Sequence, residues 1–576
     1  MQERALMLVV VVLASSGCQG RRGGGPGTPG PIDPNVVPGC TPVDADGDGI
    51  ADLVEGTGDT DRDGTPNAAD DDSDGDGWPD SEEHTSDNPC SPNDSDMDRT
   101  WDFLDPDSDN DGLTDAEERT ARTDRVGIDT DGDGVTDFGE VHGTMTDPLD
   151  PASTIPEGDF FVVLPYNGDR QVRDLRFGTN ISVADVFFLM DTTGSMGEEL
   201  SNIQRAMETV IVPGVQGLVP DVQFGAGGFD DFPVGFHGAG FDLPYYHLID
   251  IVPFVADMGA FTPPSAFGDV GRFVPGPPNG LSDIVEAVRS YPRHGGGNGC
   301  ESGVEALYQT ATGEGVSWGG GSVPPKTCPV SPDEVGLRRG YPCFRPGALP
   351  IVVFVSDAPF HEPLPSGWPL DTQETCIYSE VGSAHTYDQA LGALRGIGAR
   401  VVSLSSDSIP SGSSYPATAQ MCNLSRDTGA VRGDSSPLCF EIGTDGSDIG
   451  TDVVNAIAEL VGGTPQDVST RTQNLVGNPD EFDATLFIKA IVPVEGYQEG
   501  IAGEGYSSRD EVAFYGVIPG TQVDFSVDFL NDVREGAEAA EIFRAGIIVV
   551  GNAVADLDVR NVYIVVPPDG QIVMII

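Results

Sequence analysis

Four stretches of the chain are apolar with little alternation: Val183 to Met190, Val222 to Phe229, Leu349 to Ser356 and Arg400 to Ser405. Runs of this length, bounded by polar turns, predict strands buried on both faces. Ser201 to Val212, Leu281 to Ser290, Ser302 to Ala311, Thr386 to Gly396 and Asp448 to Val461 read as helices. Strands alternating with helices predict an α/β doubly wound, Rossmann-like parallel sheet over residues 183–463. From Asp467 the pattern changes to β-type alternation, as in Gln522 to Phe529 and Val559 to Val566, with Gly and Pro turns between runs. That predicts an all-β sandwich over 467–576, with Ile572 to Ile576 as a strand too short for a membrane anchor. The segment 157–182 is also β-like.

The first 17 residues carry Arg4 and then an apolar run, Ala5 to Ala14, which reads as an export signal peptide. The run ends in Leu13-Ala14-Ser15-Ser16-Gly17-Cys18, which resembles a bacterial lipobox. The resemblance implies cleavage before Cys18, lipidation of that cysteine, and anchoring to the bacterial outer membrane, on the cell surface. Residues 18–43 are Gly- and Pro-rich with few large apolar residues, so they form no core and are expected to act as a tether.

The chain of 576 residues has a formal net charge of −64, and about half of the excess lies between Asp44 and Asp150. Such a surface repels phosphate backbones and attracts divalent cations, which excludes a nucleic-acid binder. The acidity is periodic. Asp44, Asp46, Asp48, Asp52 and Glu55 stand at positions 1, 3, 5, 9 and 12 of a loop with Gly49 at position 6, the spacing of a calcium loop. Full copies follow at Asp72, Asp74, Asp76, Asp80 and Glu83, at Asp107, Asp109, Asp111, Asp115 and Glu118, and at Asp129, Asp131, Asp133, Asp137 and Glu140. Two variants are Asp59, Asp61 and Asp63 ending at Asp70, and Asp94, Asp96 and Asp98 ending at Asp105, the latter with Arg99 at the glycine position. Residues 44–150 resemble thrombospondin type 3 repeats, which implies an acidic stalk wrapped around Ca²⁺.

Setting Cys18 aside leaves eight cysteines, an even number that in an exported protein predicts disulfides. Cys40 and Cys90 bracket the first acidic loops. Cys328 with Cys343 and Cys422 with Cys439 are the simplest local pairs, which leaves Cys300 for Cys376; sequence alone keeps other pairings open.

The strand ending at Met190 runs into Asp191-Thr192-Thr193-Gly194-Ser195. Asp191, Thr193 and Ser195 put a carboxylate and two hydroxyls at alternate positions of one tight loop, a donor set for a hard cation at a strand end. A Gly-rich loop leads to Glu301 at the start of a helix, and Asp357 follows the strand ending at Ser356. Residues 183–463 therefore resemble a von Willebrand factor A domain, in the variety found in integrin β subunits. The resemblance implies a metal-ion-dependent adhesion site holding Mg²⁺ or Mn²⁺ at Asp191, Thr193, Ser195, Glu301 and Asp357. It also implies an adjacent cation site at Glu198 and Glu199, and matches Asp231 and Asn298 to a third, whose remaining ligands differ here. Integrin β subunits insert this domain into a sandwich, so 157–182 is expected either to join the sandwich or to pack elsewhere.

Thr193-Gly194-Ser195-Met196-Gly197 lacks the first glycine of a nucleophile elbow. His361 reads as a loop histidine, and none of the seven histidines stands at metalloprotease spacing. No enzyme is expected. The expected function is metal-dependent recognition of a protein or glycan partner through its carboxylate, with the membrane touched only by the N-terminal lipid. The alternative is a structural envelope protein whose A domain uses metal for stability and permanent subunit contacts.

Overall fold

The computed structural model describes residues 36–156, 158–254, 282–297, 299–330, 336–362, 376–378, 380–406, 417–443, 446–498, 504–537 and 539–568. The signal peptide, Cys18, most of the tether, Asn298 and the run Ile572 to Ile576 lie outside the described residues. The chain divides into two compact units at residue 130/131. Among the described residues no helix is long and apolar enough to cross a membrane.

The first unit is a succession of acidic loops. Each of its five loops runs into a short helix that begins at the ninth loop residue: Asp52–Glu55, Asn67–Ala69, Asp80–Glu83, Asp102–Leu104 and Asp115–Ala121. Its apolar core is small, with Ile50, Ala51, Phe103 and Leu113 buried. Trp78 donates from Nε1 to Asp115 O, and the guanidinium groups of Arg119 and Arg125 lie over its ring. A disulfide joins Cys40 to Cys90.

In the second unit the helical turns Asp137–Gly139 and Glu140–Thr144 precede the first strands, β1 (Phe160–Val163) and β2 (Gln171–Gly178). An α/β sheet follows: β3 (Val183–Asp191), β4 (Asp221–Phe229), β5 (Tyr246–Pro253), then, after the small hairpin β6 (Val316–Trp318) and β7 (Gly321–Val323), β8 (Leu349–Ser356), β9 (Arg400–Ser405) and β10 (Cys439–Glu441). Its spatial order is β10-β9-β8-β3-β4-β5. The chain thus builds outward from β3 to one edge and returns to build from β8 to the other, so the order reverses between β3 and β8. Five strands are parallel, but β5 runs antiparallel to β4. This corrects the expectation of a wholly parallel sheet: the connection 230–245 holds no helix to carry the chain back across the sheet, so it turns around instead.

Alternate residues of β3 feed two separate cores. Val186, Phe188 and Met190 face a core shared with Leu200, Ile203, Ile284 and Ile457, whereas Phe187 and Leu189 face one shared with Val304, Leu307, Leu394 and Leu424. Both faces of the sheet are dry, which is why its strands are near-continuously apolar. The helix expected from Ser201 begins earlier, at Gly197, and passes through a π turn at Met207–Ile211 before ending at Gln216. A helix at Ala417–Asp427 was not expected from the pattern.

The remaining strands are β11 (Gln466–Asn474), β12 (Ile488–Tyr497), β13 (Ser508–Arg509), β14 (Ala513–Val517), β15 (Gln522–Phe529), β16 (Glu541–Gly551) and β17 (Ala555–Val566). They form two sheets, β1-β17-β16-β11-β14-β13 and β12-β15-β2. Each sheet takes one strand from before the α/β segment: β1 pairs with β17 and β2 with β15. The α/β segment is therefore an excursion of the chain between β2 and β11. Its two junctions meet, as Gln466 Nε2 donates to Thr179 O at 3.0 Å.

Candidate metal centres

Register delivers the first centre. Asp191 is the last residue of β3, and Asp357 directly follows Ser356, the last of β8, so two carboxylates arrive side by side at the point where the strand order reverses. Open α/β sheets bind ligands in that crevice. Asp191 is fully buried. Its Oδ1 accepts from Thr193 N at 2.9 Å and Thr193 Oγ1 at 2.7 Å, and its Oδ2 from Ser356 Oγ at 2.7 Å. Thr193 Oγ1 lies 3.4 Å from Ser195 Oγ, and Ser195 is exposed at the mouth. Burial and the nearby Asp357 hold the Asp191 carboxyl well above the ordinary carboxylate range.

Glu301 comes from a loop tied to the β8 end: Glu301 N donates to Pro359 O at 2.9 Å and His361 N to Glu301 O at 2.8 Å. The Cys300–Cys376 disulfide fixes the same loop from the other side. A methyl placed on Gly296 would stand 3.3 Å from Glu301 Oε1 and 3.6 Å from Thr193 Cβ, so one glycine borders both side chains. Burial, with Asp191 and Asp231 nearby, pushes the Glu301 carboxyl far up, and its Oε2 is buried without a hydrogen-bond partner. Converging carboxylates with an orphaned oxygen, together with two hydroxyls, are a hard-oxygen donor set, which fits Mg²⁺ or Mn²⁺.

The pair Glu198 and Glu199 divides. Glu198 is exposed, whereas Glu199 is 2% exposed, packs on Gly446 and is held above its ordinary value by burial. Asp231, matched above with Asn298, gathers with His237 and His361, a set the spacing did not reveal because His361 comes from a separate loop, after β8.

The acidic loops supply further candidate centres. Carboxylate oxygens of Asp44, Asp46 and Asp48 lie within 4.8 Å of one another, as do those of Asp59, Asp61 and Asp63, and of Asp48, Glu55 and Asp80. Both oxygens of Asp46 and Glu55 and one each of Asp48, Asp74, Asp76, Asp107 and Asp109 are buried without hydrogen-bond partners. Burial, reinforced by neighbouring aspartates, pushes Glu55, Asp74 and Asp107 up to about 8. Carboxylates so placed fit a bound cation, which would satisfy their oxygens and remove the repulsion.

The ninth loop position has a different part. Asp80 accepts from Ser73 N at 2.8 Å and Ser73 Oγ at 2.6 Å; Asp115 does the same with Ser108 and Asp102 with Ser95. Asn67 Oδ1 accepts from Thr60 N at 3.1 Å. These side chains pin the loop by bonding its second residue. Asn67 and Asp102, absent from the expected ligands, occupy position 9 of the two variant loops; the signal was the eight-residue step from Asp59 and Asp94.

No family model matches the chain, and no curated protein matches it. Among solved structures, the pilus adhesin SpaC from Lactobacillus rhamnosus GG in an open conformation is similar at a TM-score of 0.26 and 13% identity, over 68% of this chain and 47% of that one. Another structure of the same adhesin gives 0.27 and 13%, over 69% and 46%. The chain spans about half the length of these adhesins.

Proposed function

We propose that the protein is a surface-displayed, metal-dependent recognition protein. In this reading residues 183–463 are a von Willebrand factor A domain of the integrin β kind, carried on a calcium-stiffened stalk of thrombospondin type 3 repeats and a lipidated tether. The observation that carries it is the arrival of Asp191, Thr193, Ser195, Glu301 and Asp357, from three separate chain segments, around the crevice where the strand order reverses.

Thr193, Ser195 and Glu301 would hold Mg²⁺ or Mn²⁺ directly, Asp191 and Asp357 directly or through water, and the ion would offer a remaining coordination position to a partner's Asp, Glu or acidic sugar. Asp191 organises the loop by accepting from Thr193, and Ser356 Oγ fixes its other oxygen. Ser195, exposed, opens the centre to a partner. The last α/β helix, Ile449–Gly463, leads within three residues into β11, so a shift of that helix on binding would reach the sandwich.

The test is binding of the full exported chain to arrays of acidic and neutral glycans and proteins, in Mg²⁺ with Ca²⁺ and in EDTA, with Asp191→Ala alongside. Binding to carboxylate-bearing targets by wild type with metal only supports the reading. Binding that survives chelation and Asp191→Ala in a folded protein contradicts it and favours the structural envelope role.

A further inference from the structure

Beside the oxygen-lined crevice, two loops bring a different donor set together. Asp231 follows β4, His237 lies on the connection between β4 and β5, and His361 lies on the loop after β8. All three are buried, at 0%, 1% and 1% exposure, and one ligand atom from each lies within 4.8 Å of the others. The His237 and His361 rings meet edge to face with centroids 4.9 Å apart, and His361 Nδ1 stands 2.7 Å from Asp231 Oδ2. We propose that Asp231, His237 and His361 form a site for a transition-metal ion of the Zn²⁺ class, separate from the oxygen-ligand centre at Asp191.

The donor chemistry selects the ion. Two imidazoles and one carboxylate suit Zn²⁺ and its first-row neighbours, whereas Ca²⁺ and Mg²⁺ take oxygen. Metal–ligand lengths of about 2.0–2.2 Å set tetrahedral ligand atoms about 3.3–3.6 Å apart, so closing the set needs side-chain movements of roughly 1 Å. A hydrogen-bonded His–Asp pair uses one imidazole; a second imidazole directed to the same place is the feature a metal explains.

The surroundings orient the ligands. Asp231 Oδ1 accepts from Phe232 N at 2.7 Å, from Ser302 Oγ at 2.8 Å and from Tyr378 OH, which turns Oδ2 toward His361. Ser302 Oγ also lies 2.5 Å from Tyr378 OH, so the carboxylate is held by a closed network of the kind that fixes metal ligands. His361 is anchored through its backbone to Glu301, and the two residues before Tyr378 are tied to the loop by the Glu362–Ile377 bridge and the Cys300–Cys376 disulfide. The site rests on these side chains whatever the Asp191 crevice binds.

The experiment saturates the full exported chain with Ca²⁺ and Mg²⁺ to occupy the oxygen sites, adds Zn²⁺ or Co²⁺, removes unbound ion by gel filtration, and measures retained metal. One Zn²⁺ retained by wild type and by Asp191→Ala, and lost in His237→Gln and His361→Gln, is expected. Tyr378→Phe is expected to lower Zn²⁺ affinity about 10- to 100-fold. Equal retention in wild type and both histidine variants, or none in wild type, overturns the proposal. Should a histidine variant fail to fold, wild type decides alone: nitrogen couplings from imidazole in the spectrum of the bound Co²⁺ support the site, and oxygen-only ligation overturns it.

Discussion

Arg99 holds φ at 89°, in the conformation that Gly49 takes at the same loop position with φ 102°. A side chain there is strained by about 1–3 kcal/mol, so Arg99→Gly is expected to stabilise the first unit by roughly 1 kcal/mol after the added freedom of the unfolded chain is offset. Equilibrium denaturation in Ca²⁺ checks this, and an unchanged or lower midpoint contradicts it. Ser108→Ala removes the hydroxyl that bonds Asp115 Oδ2 in a buried setting and is expected to cost about 1–3 kcal/mol in the same assay. At this scale the clustering of the loop carboxylates was legible from spacing alone, because one tight turn brings side chains at its alternate positions together. The pinning pairs were less so, because Asn67 replaces the carboxylate and Arg99 removes the glycine that marks the loop containing Asp102.

The elements that carry Asp191 and Asp357 were legible because they are buried on both faces: Leu349–Ser356 has the bounds its apolar run suggests, and Val183–Asp191 ends one residue beyond its own. Strand β5 is less apparent, since His247 and Asp250 interrupt its apolar run and bond one another at 2.7 Å within the fold. The Ala417–Asp427 helix hides for a similar reason: it buries Met421 and Leu424 but is otherwise mostly polar, and its Cys422 is tied to Cys439 of β10. Disulfides also organise the site, since the Cys300–Cys376 bond holds the residue before Glu301. Replacing both cysteines by Ala is expected to destabilise the second unit by about 2–5 kcal/mol and to weaken Mn²⁺ binding at the Asp191 centre. Thermal denaturation and Mn²⁺ titration measure the two effects; an unchanged Mn²⁺ affinity would show that the disulfide does not position Glu301.

Over the whole chain, charge dictates behaviour that no single loop shows. Glu55, Asp74 and Asp107 titrate near 8 in the metal-free fold against ordinary values of 3.8 to 4.5. The folded first unit therefore holds more protons than the unfolded chain across that range, and its stability is present below about pH 4 and lost as pH rises through about 8. In EDTA its circular dichroism melts are expected to fall in midpoint from pH 5 to pH 8, and Ca²⁺ at pH 8 is expected to restore them. A midpoint that rises with pH in EDTA would contradict the carboxylate account. The excursion of the α/β segment between β2 and β11 was legible only as one of two arrangements, because strand pairing between residues more than 300 positions apart leaves no local trace.

The most direct measurement is Mn²⁺ binding by the full chain in saturating Ca²⁺, followed by water-proton relaxation, for wild type and Asp191→Ala. The account predicts one more bound Mn²⁺ in wild type, with a further relaxation change when a carboxylate ligand displaces its water. Equal Mn²⁺ binding by the two proteins would contradict it.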